Sequence, residues 1–193
     1  ISIPPTILFT ACGIVPDVTK CGTMDAKRPG DVVYVLGDTR AEMGGSEYLA
    51  LRGELGVTAP GVDAAKAMAL YRALSSAMEA GMIASCHDVS DGGLAAALAE
   101  TALAGRLGMT LDLAPIGVEN DLVALFSESQ SRFVVTVPAV SAAGFEATMK
   151  GQPFARLGSV VDGPEFRINN GKRVIVDVAL AQLEAAWKKP LAW

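Results

Sequence analysis

Asn169-Asn170-Gly171 separates two segments of β character, Glu165 to Ile168 and Arg173 to Val178. An Asn-Gly step accepts the positive φ that a tight hairpin turn demands, so the flanking segments are expected to pair antiparallel. That pairing argues against a doubly wound parallel sheet. Upstream, strand-like and helix-like segments alternate irregularly. The expected fold class is α+β, a mixed β-sheet with helices packed on it, formed by one domain over 1–193.

The other elements follow from periodicity and punctuation. Ile7 to Val15 reads as a buried strand, broken by Pro16 and Asp17. Asp31 to Leu36 is a second strand, ended by Gly37. Gly37 to Gly61 holds six glycines and little periodicity, and reads as a long, partly helical functional loop. Asp63 to Ala80 is the clearest helix, with Asp63 as N-cap and Gly81 just past its end. Ala67, Leu70, Leu74, Ala77 and Met78 form its apolar face. Met82 to Cys86 is a short strand and Asp91 to Ala104 a helix closed by Gly105. Met109 to Leu113 is a strand, Pro115 to Gly117 a turn and Glu119 to Phe126 a helix. Phe133 to Val137 and Ala155 to Val161 are strands. Ala142 to Lys150 and Ala179 to Trp187 are helices.

The chain has 193 residues, a formal charge of −5 and a 51% hydrophobic fraction, enough to bury one core. An acidic chain with scattered Lys and Arg lacks the footprint for nucleic acid or for anionic lipid. No apolar run is long enough to span a bilayer, and the opening from Ile1 has no basic region of a signal peptide. Cys12, Cys21 and Cys86 form no C-x-x-C pair, so neither a disulfide framework nor a zinc site is expected, and a reduced, cytoplasmic setting is. P-loop, dinucleotide and nucleophile-elbow motifs are missing from the sequence. Trp187 and Trp193 read as packing residues.

Three segments combine carboxylates and hydroxyls, the first two together with glycine. In Asp38 to Tyr48 (DTRAEMGGSEY), Gly44 and Gly45 allow close backbone approach, Ser46 can donate to a phosphate, and Glu42 and Glu47 can reach a metal. The same residues also fit a plain turn capping a helix at Ser46. In His87 to Leu94 (HDVSDGGL), a strand feeds a helix through Gly92 and Gly93, a natural anion site. Here Asp88 is a candidate metal ligand, and Ser90 or Asp91 a candidate helix cap. His87, the lone histidine, fits either a ligand contact or a packed, hydrogen-bonded residue. In Phe126 to Arg132 (FSESQSR), Glu128 and Gln130 share parity, while Ser127, Ser129 and Arg132 supply hydrogen bonds.

GDTRAEMGGSEYL, CHDVSDGGLAAALAE and LFSESQSRFVVTV, in this order, resemble the last domain of the synthetase subunit of phosphoribosylformylglycinamidine synthase. The flanks IPPTILFTACGIVPDV and DVVYVLG agree, so the resemblance covers nearly the whole chain. It implies the α+β fold of the C-terminal domain of aminoimidazole ribonucleotide synthetase-like proteins. Selenophosphate synthetase, thiamine-phosphate kinase and a hydrogenase-maturation protein belong to the same superfamily.

The resemblance also implies a reaction. ATP activates the amide oxygen of formylglycinamide ribonucleotide, and ammonia from a glutaminase displaces phosphate to give the amidine. Mg²⁺ neutralises the polyphosphate, so the work is positioning and charge stabilisation. Gly44, Gly45, Ser46, His87, Asp88, Ser90, Asp91, Gly92 and Gly93 are the expected nucleotide or phosphate contacts, with Asp88 and Glu42 toward the metal. Glu128, Ser129 and Gln130 match substrate-contacting residues of the family's other, catalytic copy of this domain. N-terminal-type domains of the same polypeptide, a separate glutaminase and a small accessory subunit are the implied partners. The isolated chain is expected to be inactive and to expose an apolar patch where a neighbour docks. A purely structural or auxiliary-nucleotide-holding module of that enzyme, or a paralogous ATP-dependent enzyme of the same superfamily, remain open alternatives.

Overall fold

The structure, a computed structural model, describes residues 8–191. Seven strands form one sheet: β1 (Val32–Leu36), β2 (Ser85–Asp88), β3 (Gly108–Asp112), β4 (Phe133–Val137), β5 (Phe154–Val161), β6 (Glu165–Asn170) and β7 (Arg173–Ala179). Their order is β2-β4-β1-β5-β3-β6-β7. Every neighbouring pair is antiparallel except β3 and β6. The mixed sheet expected from the hairpin is therefore present. The hairpin turn itself is Gly171-Lys172, with Asn170 already paired to Arg173 and Gly171 at φ 62°.

Six helices cover the sheet: α1 (Glu47–Leu51), α2 (Ala64–Glu79), α3 (Gly93–Gly105), α4 (Asp121–Phe126), α5 (Ala142–Thr148) and α6 (Leu180–Lys188). Side chains alternate across β1, and the two faces carry different partners. Val33 and Val35 share one cluster with Leu94 and Leu98 of α3 and Leu125 of α4. Val32, Tyr34 and Leu36 share the other with Leu70 and Leu74 of α2 and Phe145 of α5. A central strand covered on both faces must be apolar throughout, which is why DVVYVL lacks a polar alternation. The buried Tyr34 hydroxyl donates to Glu146 Oε1 at 2.7 Å, so its polar end is not stranded in the core.

Several elements form as their residues dictate. Asp63 accepts from the Ala65 and Lys66 N–H groups at the start of α2, and Ala67, Leu70, Leu74 and Ala77 are buried. Asn120 caps α4 in the same way. Two expectations fail. Residues 8–15 form no strand, and Leu8 and Ile14 are 89% and 95% exposed. An apolar run becomes a strand only with a neighbour to take its N–H and C=O groups, and among the described residues none pairs with it; Ile7 lies outside the described residues. The strand expected over Met82 to Cys86 is displaced to Ser85–Asp88, where β4 supplies the register. Leu51, Leu55, Val57 and Val62 also present apolar side chains to solvent, in the region of the long loop.

The entrance to β4 is held by Arg132, whose side chain is fully buried. Its Nε donates to Ser129 O at 2.9 Å, its Nη1 to Thr39 Oγ1 at 3.0 Å, and its Nη2 to Ser127 O. Burial pushes the guanidinium down to about 10, opposed by the nearby Glu42 carboxylate. Replacing Arg132 with Leu strands two carbonyls and a hydroxyl, and is expected to destabilise the chain by about 3 kcal/mol or more, measured by urea unfolding. At the start of β1, Asp31 is buried and its Oδ2 has no hydrogen-bond partner among the described residues. Burial raises its pKa, with Arg28 pulling the other way. A raised folded-state pKa stabilises at low pH and costs stability as pH rises through it. Asp31→Asn is therefore expected to be more stable than the parent at neutral pH, with the gap closing in acid, when melting temperatures are compared across pH.

Candidate functional site

Strand register brings the three segments together. Leu36 at the end of β1 pairs with Phe133 at the start of β4, and Phe133 pairs with Asp88 at the end of β2. The chain leaving β1, the chain leaving β2 and the chain entering β4 therefore share one end of the sheet. These are the segments Gly37 to Tyr48, Asp88 to Gly93 and Ser127 to Arg132.

Glu128 joins the first two. Its Oε1 accepts from the Glu47 N–H at 2.9 Å and from the Gly92 N–H at 2.8 Å. Both donors lie at helix starts, where backbone N–H groups lack intrahelical partners and a negative charge is favoured. Ser46, buried, caps α1 by accepting from the Leu49 N–H. Gly92 stands at the N-cap of α3 with φ 79° and offers no side chain. Asp91 is not the cap. The helix begins two residues later than expected, because the chain at Gly92, φ 79°, is left-handed rather than helical.

Ser129 is buried and works inside the protein. Its hydroxyl accepts from the Arg40 N–H at 3.0 Å and lies 3.0 Å from the Ser127 hydroxyl. Ser127 in turn donates to Arg40 O at 2.5 Å. Gln130 is exposed, and its amide donates to Glu128 O at 3.3 Å. Of the three residues in the ESQ run, Ser129 is buried, Glu128 half-buried and Gln130 exposed. Ser131, at φ 62°, breaks the extended chain between Gln130 and β4.

Glu42 is buried and its carboxylate is already engaged. Oε2 meets Arg40 Nε at 3.1 Å, and Oε1 accepts from the Gly61 N–H at 3.1 Å. Arg40 Nη2 donates to Gly61 O at 2.7 Å, closing a ring that ties the beginning of the long loop to its end. Sequence reading passed over Arg40 because a single arginine in an aperiodic loop carries no pattern. Among the described residues no group of three His, Cys, Asp or Glu is placed to hold a metal. Asp88 has its side chain 68% exposed, and Ser90 and Asp91 are exposed beside it.

His87 Nε2 lies 2.7 Å from Glu100 Oε2 on α3, and Nδ1 lies 3.7 Å from Asp88 Oδ1. An ionised carboxylate only accepts, so the short contact places the proton on Nε2. The imidazole is thus a packed link between β2 and α3. Beside it, burial pushes the Cys86 thiol up to about 11, away from thiolate reactivity. Cys12 and Cys21 are exposed and unbridged.

The glycines serve the protein's own packing. A Cβ on Gly93 would lie 2.6 Å from Ser127 O, and one on Gly44 would lie 2.6 Å from the Thr58 carbonyl carbon. Gly45 has open space and is required instead for its φ of 75°. A hollow of about 40 Å³ between Asp38, Arg40, Lys66 and Gln130 opens beside the convergent segments. It is too small for a nucleotide, so this end of the chain offers a wall rather than an enclosure. A hollow of about 800 Å³ lies along α3 and α6 and includes Arg106 and Trp187. None of the candidate site residues lines it. Trp187 is 61% exposed there rather than packed, and Trp193 lies outside the described residues.

Comparison with known proteins agrees with this architecture. The family described as AIR synthase related protein, C-terminal domain, matches residues 28–169. A phosphoribosylformylglycinamidine synthase subunit PurL from Caldanaerobacter subterraneus subsp. tengcongensis is 38% identical over 100% of this chain and 26% of its own length. The PurL subunit of Alkaliphilus metalliredigens is 35% identical over 98% of this chain, again 26% of that protein. The chain thus spans about a quarter of the curated relatives it matches. Among solved structures, Thermotoga maritima PurL complexed with FGAR superposes with a TM-score of 0.76 at 21% identity, over 86% of this chain and 30% of that one. The same protein complexed with ATP gives 0.67 at 19% identity, over 86% and 27%, and the PurLQS assembly 0.69 at 21%, over 84% and 27%. At such identities the likeness is one of fold. No helix among the described residues is long and apolar enough to cross a membrane. The chain belongs to the family of AIR synthase related proteins, C-terminal domain, and is similar along its whole length to phosphoribosylformylglycinamidine synthase subunit PurL.

Proposed function

We propose that this chain is the C-terminal module of an ATP-dependent ligase that converts formylglycinamide ribonucleotide and ammonia to the amidine. Its convergent end forms one wall of a nucleotide pocket that N-terminal-type domains of the same polypeptide complete. The observation that carries this reading is the shared register of Leu36, Phe133 and Asp88, which gathers all three motif segments at one sheet end. Similarity to PurL subunits supports the reaction class. A solved PurLQS assembly supports separate partner subunits, of which a glutaminase would supply the ammonia.

ATP supplies the phosphoryl group that turns the amide oxygen into a leaving group, and Mg²⁺ neutralises the polyphosphate. Mg²⁺ usually takes one or two carboxylates together with phosphate oxygens and water, so a full protein cage is not needed. Asp88 fits that role because it is exposed and adjoins the turn. Glu42 does not fit in this conformation, since Arg40 and the Gly61 N–H occupy its oxygens. Asp38, Glu47, Ser90, Asp91 and Gln130 also present exposed polar groups at this end. Ser46, Ser129, Gly44 and Gly93 contribute by shaping the wall from behind.

A second reading is a module that only holds the synthetase together. One observation favours it: Glu128 already occupies the Glu47 and Gly92 N–H groups that a phosphate would use. The two readings separate at Asp88. In the full-length polypeptide, Asp88→Asn is expected to weaken Mg²⁺-dependent ATP binding about tenfold, the loss of roughly one charge-assisted contact, with melting unchanged. Unchanged binding favours the structural reading. The isolated chain, supplied with formylglycinamide ribonucleotide, ATP, Mg²⁺ and ammonia, is expected to show no turnover in an ADP-release assay. Gly93→Ala is expected to cost about 2 kcal/mol or more of stability, through its positive φ and the carbonyls behind it, read by chemical denaturation.

A further inference from the structure

The carboxylate of Glu128 makes a contact that neither helix capping nor the ligase reading requires of it. One oxygen, Oε1, receives N–H groups from residues 81 and 36 positions away in the chain. Two donors on a single acceptor atom cannot lie farther apart than the two bonds laid end to end. The start of α1 and the start of α3 are therefore fixed to each other through this atom. Neither helix can replace it locally. Ser46 serves the Leu49 N–H and leaves that of Glu47. Gly92 has no side chain, and α3 has no side-chain cap of its own.

We infer that Glu128 is a positioning residue, a clamp whose single oxygen sets the GGSEY turn against the DGG turn and so fixes the spacing of the solvent-facing carboxylates Glu47, Asp88 and Asp91. The inference rests on the proposed function only for what those carboxylates then hold; the clamp itself is a statement about the chain. Side-chain length is decisive. Aspartate is one methylene shorter and cannot reach both donors, whereas glutamine keeps the accepting oxygen and loses only the charge. Glu128 thereby acts through Asp88 and Asp91 rather than by touching ligand, in contrast to the substrate contact that its motif implies.

The test uses the full-length polypeptide and three variants, Glu128→Ala, Glu128→Asp and Glu128→Gln. Hydrogen–deuterium exchange by mass spectrometry follows peptides covering residues 44–49 and 90–94, with a peptide over residues 63–67, capped independently by Asp63, as reference. In the Ala variant both test peptides are expected to exchange faster together, by about tenfold, while the reference peptide is unmoved. In the Asp variant one of the two is released, and in the Gln variant most of the protection returns. Steady-state kinetics supply the second readout. Glu128→Ala is expected to raise KM for ATP about tenfold with kcat changed by less than about threefold, and Glu128→Gln to recover most of that loss. Unchanged exchange in both peptides of the Ala variant overturns the clamp. A Gln variant as impaired in KM as the Ala variant, with its exchange protection intact, also overturns it, because charge on Glu128 would then be acting on ligand directly. Linked loss of protection without any change in KM upholds the clamp and removes the ligase reading of this end instead.

Discussion

A guanidinium buried at the foot of β4 organises the motif-bearing end of this protein. Arg132 cannot be left without partners in the interior, since an unpaired buried charge costs several kcal/mol. The chain meets that demand by folding Ser127 to Ser129 back so that two carbonyls and the Thr39 hydroxyl face its nitrogens. That fold-back turns Ser127 and Ser129 toward Arg40, which draws in Glu42 and the loop at Gly61. It also sets the direction of Glu128, whose carboxylate bridges the two helix starts. Satisfaction of one buried cation thus propagates through three segments that are far apart in sequence.

The glycines belong to the same economy of space. Gly44 and Gly93 look like residues that let a ligand near the backbone, yet the nearest atoms to an added Cβ are carbonyls of this chain. Gly92 and Gly45 are needed for their left-handed φ. A Gly-rich turn at a strand end is therefore compatible with anion binding without requiring it, and here the resident anion is a carboxylate. Open to solvent there are Asp38, Glu47, Asp88, Ser90, Asp91 and Gln130, beside the partly exposed guanidinium of Arg40. A wall of that character suits a nucleotide whose charge is neutralised by a metal and by cationic groups from elsewhere.

Much of the fold could be read without coordinates, and for identifiable reasons. Asp63, the spacing from Ala67 to Ala77 and Gly81 specify α2 locally, and the helix forms as they require. The apolar DVVYVL run signals a strand, and the structure places it inside the sheet with both faces covered. The exceptions are segments whose state depends on a neighbour. Leu8 to Val15 has the composition of a strand but no ladder partner among the described residues, and Ser85–Asp88 takes its limits from β4. Asp91 carried a cap signature, yet the left-handed glycine after it moved the helix start.

The sequence by itself determined the element types, the antiparallel hairpin, the mixed sheet and the identity of the three segments that carry the family resemblance. These are set by local propensity, by periodicity and by turn chemistry, each of which acts over a few residues. Only the tertiary structure decided which side chains at those segments face inward. Glu42 carries the same carboxylate in the sequence as Asp88, and Ser129 the same hydroxyl as Ser90, yet Glu42 and Ser129 are buried. Whether a carboxylate or hydroxyl meets protein or solvent depends on partners brought in from distant positions. That pairing is set by strand register and by the buried Arg132, and neither has a signature in the order of residues.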